Sequence, residues 1–447
     1  MSGDNLISMN EIATDRRYNL ANLYESQQIG DQSEEEYPFN NDFRNCDYYE
    51  PHNLESQLIN SDMPNDKCLR SFIHLNCRGL ASNWDKFYDL LCDMHSNEFS
   101  FDFIGISEAF RCDFDKRISL PGYHNIISRC REQTDDSRGG VALFIKESFD
   151  FVIRNDLSVF IPHIYESLVV EIIPKGGKRV IIVVVYRPNS APRADVNIFT
   201  TTLLGVLDQI NAENKKGVIM GDMNVDMLKY GSHDATNAYV DDIFSRGFLP
   251  RILKPTRIQH RPTHTTATLI DHIFTNDITS KSSSGIIINS VADHFAVFYI
   301  STSNTKLGPT KFKRVRSFTD KNIATFRSEL GRIDFSPVSL TACPNEAYTK
   351  FIDLYKMPFD RSFPMKTVTV TNRNVKRAPW MTSGLLASSR KKIKLYNKKL
   401  NKPTETNIRN YKTFEQIFKK LKRIAKITYF KTELEDNKHN IKQMWKV

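Results

Sequence analysis

Between residues 69 and 300 the apolar positions come in short runs, at 72–75, 103–106, 141–145, 168–173, 180–185, 218–220, 270–274 and 296–300. Runs of this length bounded by turn-forming residues predict β-strands. The run Val-Ile-Ile-Val-Val-Val at 180–185 has no polar alternation, which predicts a strand buried on both faces. Stretches at 84–94 and 197–210 carry apolar residues at helical spacing and predict amphipathic helices. Only Lys175-Gly176-Gly177-Lys178 and its immediate flanks separate the runs at 168–173 and 180–185, too few residues for a helical crossover. Those two strands must therefore form an antiparallel hairpin. The pattern predicts an α/β sandwich, two sheets face to face with helices outside, rather than a doubly wound parallel sheet.

The flanks have a different texture. Residues 1–66 show no sustained period, include Glu34-Glu35-Glu36, and hold 14 acids against 3 bases; such composition predicts a mostly disordered segment. Residues 302–372 read as a linker with a weak helical pattern. Residues 373–447 read as a basic helical hairpin. Leu385, Leu386, Ile393, Leu395 and Leu400 lie in its first helix, a turn falls near Asn401-Lys402-Pro403, and Tyr411, Phe414, Ile417, Phe418, Leu421, Ile424 and Ala425 trace the apolar stripe of the second.

Charge and cysteine content narrow the possibilities. The formal net charge is +10, but residues 370–447 alone hold 21 bases against 5 acids, so the tail is the expected contact for a polyanion. Seven cysteines without a Cys-x-x-Cys spacing suggest neither a disulfide framework nor a zinc ribbon, and fit a reducing compartment. No signal-like segment opens the chain, and no run approaches the roughly 18 apolar residues of a membrane span, so no membrane association is expected.

Polar residues stand at the ends of the strand-like runs: Asn76, Glu108, Tyr186, Asp222, Asn224, Asp271, Asp293 and His294. Asp222 and Asn224 straddle Met223, so in an extended backbone both would point to one face; the same Gly-Asp-x-Asn is also what a β-turn selects. Asp271 can supply the carboxylate that fixes the tautomer of His294 and raises its pKa. Scattered single acids suit a hard cation such as Mg²⁺. A zinc site using His272 and His294 lacks the usual helical spacing and thiolates. Phosphodiester hydrolysis needs these parts: a cation, a base for water, and donors for developing charge.

The ordered blocks HLNCRGL (74–80), FIGISEAF (103–110), SRGGVALFIK (137–146), VVVYRPNS (183–190), VIMGDMNVDML (218–228), LKPTR (253–257), TLIDHIFTN (268–276) and SVADHFAVFY (290–299) resemble the endonuclease/exonuclease/phosphatase superfamily. More narrowly they resemble the apurinic-type endonuclease domain of jockey-like non-LTR retrotransposons, over 67–301. The resemblance implies a four-layer α/β/β/α sandwich of two mixed sheets, followed here by a C-terminal basic helical segment. It implies Mg²⁺, with Mn²⁺ as a substitute, and nicking of DNA in the nucleus, with a cytoplasmic pool. It places Glu108, Asn76 and Asp293 at the metal, Tyr186 and Asn224 on phosphate oxygens with Thr268 touching phosphate, Asp222 on the attacking water, and His294 with Asp271 at the transition state. Met223 and Ala109 stand where the family usually has Phe and Thr. The tail resembles the segment leading towards reverse transcriptase, and contact with element RNA is a further expectation. No Tyr-x-Asp-Asp signature occurs, so no polymerase activity is expected. Two alternatives remain: an abasic-site repair endonuclease, and a decayed remnant that only binds nucleic acid.

Overall fold

In a computed structural model, the described residues are 46–54, 68–95, 100–110, 118–131, 138–174, 179–189, 193–260, 264–303, 312–369, 378–439 and 444. The elements in chain order are β1 (Cys46–Tyr49), β2 (Cys68–Asn76), α1 (Leu80–His95), β3 (Phe103–Ser107), β4 (Ile127–Arg129), β5 (Val141–Ile145), β6 (Asp150–Ile153), β7 (Phe160–Ile161), β8 (Tyr165–Ile173) and β9 (Val180–Tyr186). Then come α2 (Arg193–Ala212), β10 (Lys216–Asp222), α3 (Asp234–Phe244), β11 (Leu249–Pro250), β12 (Arg257–His260), β13 (Thr265–Thr268), β14 (Asp271–Thr275), β15 (Ser282–Ile287) and β16 (Ala296–Ser303).

One seven-stranded sheet has the order β1-β15-β16-β2-β3-β5-β4, and a second runs β11-β14-β10-β9-β8-β6 with β7 on β8. Both are mixed. β2 pairs parallel with β3 but antiparallel with β16. β9 pairs parallel with β10 but antiparallel with β8, as the short connection required. The strands of the first sheet alternate cleanly: Phe72, Phe103 and Leu143 join the core between the sheets, whereas Ile73, Ile104 and Phe144 join the core beneath α1. Both faces are apolar because both are covered, one by the partner sheet and one by a helix. All of β9 is buried, and α2 packs on the far side of the second sheet through Phe199, Leu203, Leu207 and Ile210. The result is the four-layer α/β/β/α arrangement. No described helix is long and apolar enough to cross a membrane.

The first sheet reaches back into the acidic segment, since β1 pairs with β15. Of the residues expected to be disordered, 46–54 are ordered, with Pro51 and Leu54 buried after β1; 1–45 and 55–66 lie outside the described residues. Cys130 is disulfide-bonded, a departure from the expectation of no disulfide framework; Cys46, Cys77 and Cys343 are free thiols.

Residues 307–372 form a second compact unit. That smaller unit contains β17 (Phe312–Arg316), α4 (Asp320–Leu330), α5 (Ser336–Ser339), α6 (Pro344–Ser362) and β18 (Met365–Thr369). β17 and β18 pair antiparallel, and Phe318, Phe326, Phe359 and Phe363 form an aromatic cluster.

The C-terminal residues from 373 group with the sandwich. Here α7 (Ser383–Asn401) and α8 (Glu405–Asp436) pack against one another through Leu385, Leu386 and Phe418. The pair docks on the outer face of α1, where Ser389 Oγ donates to Asp93 Oδ2 at 2.7 Å and Lys422 Nζ to Asp89 Oδ2 at 2.8 Å. Two expectations change. Lys392 is buried rather than on a basic exterior. Its ammonium, beside Asp89, Glu415 and Asp93, is lowered chiefly by burial. The apolar stripe of α8 also splits: Tyr411 and Phe418 are buried, while Ile417, Leu421 and Ile424 stay about half exposed, because the seam that α8 forms with α7 and α1 is narrower than its apolar arc.

Candidate active site

The polar positions gather where strands end. β2 and β3 run parallel, with Asn76 opposite Ser107 at their carboxyl ends. In the second sheet Asp222 is the register partner of both Tyr186 on β9 and Asp271 on β14. Backbone pairing therefore sets Tyr186, Asp222 and Asp271 in one row, at the carboxyl ends of the parallel strands where α/β sheets leave room for ligands. Glu108 follows β3 in the left-handed region, at φ +50°.

Asn76 holds the two halves together. Its Nδ2 donates to Glu108 Oε1 at 2.8 Å and to Asp222 Oδ2 at 2.7 Å, while its Oδ1 accepts from Arg78 N. Asp222 accepts a further bond from Asn224 N at 3.1 Å. The extended-backbone expectation for Asp222 and Asn224 is not met, because β10 stops at Asp222 and Asn224 turns left-handed, φ +48°. The Asn224 side chain instead donates to Arg187 O at 2.6 Å, and Arg187 returns bonds to the carbonyls of Met223 and Asn224. Of the two readings of Gly-Asp-x-Asn, the backbone shows the turn.

Asp271 is buried, and its Oδ2 lies 2.8 Å from His294 Nδ1 and accepts from Thr256 Oγ1 at 2.7 Å. Burial lowers the His294 pKa, but the adjacent Asp271 charge and hydrogen bond, with Asp222 and Asp293, outweigh it and raise it to about 9. The Asp271 carboxyl is lowered, its burial being overcome by His294, His74 and Thr256. Burial and then the Asp271 charge raise Asp222 to about 7. Burial, with Glu108 and Asp222 nearby, keeps the Tyr186 phenol well above its ordinary value and so protonated. Two neighbouring carboxyls pushed apart by their surroundings, one ionised and one near neutrality, can divide acid and base work.

Asp293 accepts from Arg78 NH1 at 3.0 Å, from Arg257 Nε at 2.9 Å and NH2 at 2.6 Å, and from Gln259 Nε2 at 3.0 Å. Burial is overcome by His294, Arg257 and Arg78, which bring it down to about 2. Thr268 ends β13 opposite Arg257 in the β12–β13 hairpin. The sequence reading did not single out His74, Arg78, Thr256, Arg187, Arg257 or Gln259. His74 is fully buried, its Nδ1 3.9 Å from Asp271 Oδ1 and without a hydrogen-bond partner. Arg187 and Thr256 follow strand-like or turn-like blocks, but nothing local marks a partner 15 or 36 residues away.

The family model for Endonuclease/Exonuclease/phosphatase proteins matches residues 73–301. The chain belongs to the Endonuclease/Exonuclease/phosphatase family. Members of this family are phosphodiesterases and nucleases, typically dependent on a divalent metal. Among solved structures, the chain is similar to the endonuclease domain of TRAS1, a telomere-specific non-LTR retrotransposon, at 11% identity and TM-score 0.39, covering 53% of this chain and 100% of that one. It is similar to an endonuclease/exonuclease/phosphatase family protein of Bacteroides thetaiotaomicron, at 16% identity and TM-score 0.38, covering 54% and 99%. A third is D. rerio TDP2 complexed with single strand DNA product, at 14% identity and TM-score 0.36, covering 53% and 99%. Curated proteins give no match.

The residues present suit the family's metal. Glu108 and Asp222 both lie within hydrogen-bond reach of one nitrogen, Asn76 Nδ2, so two carboxylates converge on one small volume of hard oxygen donors. Asp222, Asp271 and His294 also offer ligand atoms within 4.8 Å of one another. His294 is the poorer donor of that set, because its raised pKa keeps the imidazole protonated.

Proposed function

We propose that this chain is a Mg²⁺-dependent DNA endonuclease of the retrotransposon type, cutting one strand to leave a 3′-hydroxyl and a 5′-phosphate. One observation carries the reading: Asp222 is the strand-register partner of the buried Asp271, whose carboxylate lies 2.8 Å from His294 Nδ1, so a carboxyl group and an imidazole flank one buried charge in a family fold. Glu108, with Asp222 and Asn76, would hold the cation, which supplies charge neutralisation of the phosphate oxygens. Asp293, engaged by two arginines, is the weaker candidate for that shell.

Each side chain then has a task. Asp222, oriented by Asn76 Nδ2 and Asn224 N, accepts the proton of the attacking water. His294, held by Asp271, presents its other ring nitrogen as a charged donor to the phosphorane oxygens. Tyr186, kept protonated, donates to a non-bridging oxygen, and Asn224 and Thr268 border the phosphate. Exposed Lys402, Arg409, Lys412 and Lys420 on the C-terminal hairpin supply sequence-independent attraction to DNA or RNA backbone.

Supercoiled plasmid incubated with Mg²⁺ should relax to the nicked form and stay supercoiled in EDTA. Asp222→Ala and His294→Ala should each lower nicking by about 100-fold or more while remaining folded. Full activity in either purified variant would remove the assignment.

A further inference from the structure

Two arginines from distant parts of the chain meet on one carboxylate beside the catalytic pair. Arg78 lies just past β2, and Arg257 opens β12, yet both bind Asp293, the residue that precedes His294. Gln259, two positions along β12 and so on the same face as Arg257, adds a fourth bond. No other acid pairs with either arginine among the described residues. Two guanidinium charges sharing one carboxylate leave a net positive charge. It is not simply solvated: Asp293 and Arg257 are each about one quarter exposed, and only Arg78 is open, at 56%.

A purely structural bridge needs one cation. A second, open arginine has donors to spare, because Arg78 uses NH1 alone while Arg257 is forked onto a single oxygen. Guanidinium forks of this kind match phosphate oxygens. We propose that Arg78 and Arg257 form a subsite for one backbone phosphate adjoining the scissile one, with Asp293 holding both guanidinium groups in place before substrate arrives. The ligand is a nucleic-acid strand that extends at least one phosphate beyond the bond cut. This rests on the endonuclease reading of the same site and adds to it a requirement on substrate length and charge.

The test is binding of the full chain, in EDTA, to a fluorescent oligonucleotide, followed by anisotropy, with single neutral methylphosphonates placed in turn at each linkage. In wild type one position next to the cut should weaken binding about tenfold, the loss of one charge-assisted contact. Arg78→Ala should weaken binding to the all-phosphate strand by a similar factor. Combined at that position, the two losses should not multiply, whereas at every other position they should. Arg257→Lys, which keeps the charge but loses the fork, should show the same non-additivity at the same linkage. Multiplicative losses at every position, or wild type that does not bind the strand, would overturn the subsite. Cleavage is scored separately with Mg²⁺: a protein that shows the position-specific effect but never cuts refutes the endonuclease reading and leaves the subsite standing.

Discussion

His294 Nδ1 lies 2.8 Å from Asp271 Oδ2, and the same carboxylate is fixed by Thr256 Oγ1 from a third segment. That pairing ties the pH response of the site to one buried charge. Asp222 must be ionised to act as base, so its contribution is present above about pH 7 and lost as pH falls. His294 must be protonated, so its contribution is present below about pH 9 and lost as pH rises. Nicking should follow a bell with these limbs. Asp271→Asn removes the charge that raises both groups, so both limbs should move to lower pH and the maximum should fall about 100-fold. A pH profile unshifted by Asp271→Asn would show that the pair does not control the site.

Glu108, unlike Asp222 and Asp271, is only partly buried, with Asn76 Nδ2 as its hydrogen-bond partner. Glu108→Gln preserves size and that hydrogen-bond geometry but removes the charge a divalent cation needs. The Mg²⁺ concentration for half-maximal nicking should rise about tenfold or more, the equivalent of about 1.4 kcal/mol. An unchanged titration curve would assign Glu108 to the loop and not to the ion.

Gly221 sits where β9 and β10 are paired through Val185, and a Cβ at this position would stand 2.0 Å from Val185 O. A backbone oxygen in a buried sheet cannot rotate away as a side chain can. Gly221→Ala should therefore cost about 3 kcal/mol, the upper end of overpacking penalties, and should disturb Asp222 next to it. Urea unfolding monitored by far-UV dichroism reads the cost, and a midpoint equal to that of wild type would contradict the close approach.

The C-terminal hairpin is held by ionic contacts that are out of water. Lys422 and Asp89 are 12% and 8% exposed, and Asp89 has a raised pKa, set first by burial and only partly offset by Lys422. Asp89→Ala leaves Lys422 and the buried Lys392 short of a counter-charge and should destabilise the sandwich and hairpin together by about 3 kcal/mol. Thermal melting should show one transition shifted downwards. A melt in which the variant loses only helix signal, with the sandwich transition unmoved, would show that the hairpin is an independent attachment.

The strands, the two helices and the basic hairpin were legible because burial on a repeating lattice imposes a period, and the run at 180–185 announced its two covered faces without any knowledge of what covered them. The connection at 175–178 was too short for anything but antiparallel pairing, which β8 and β9 show. The acids and the imidazole at strand ends were legible for a related reason: a polar group directly after a buried run stands out. What the sequence could not decide was which of them meet. Asn76 bridges to Asp222 across 146 residues, Arg78 reaches Asp293 across 215, and His74, inside an apolar run, looks like any strand residue until Asp271 is set beside it. The same holds for Lys392, one lysine among many on a basic helix, whose burial against Asp89 and Asp93 depends on where α1 lies. Local sequence sets period, turn chemistry and charge density, since those act over a few residues. Partner choice, desolvation and the pKa shifts they produce depend on distances through space, and only the tertiary structure fixes those.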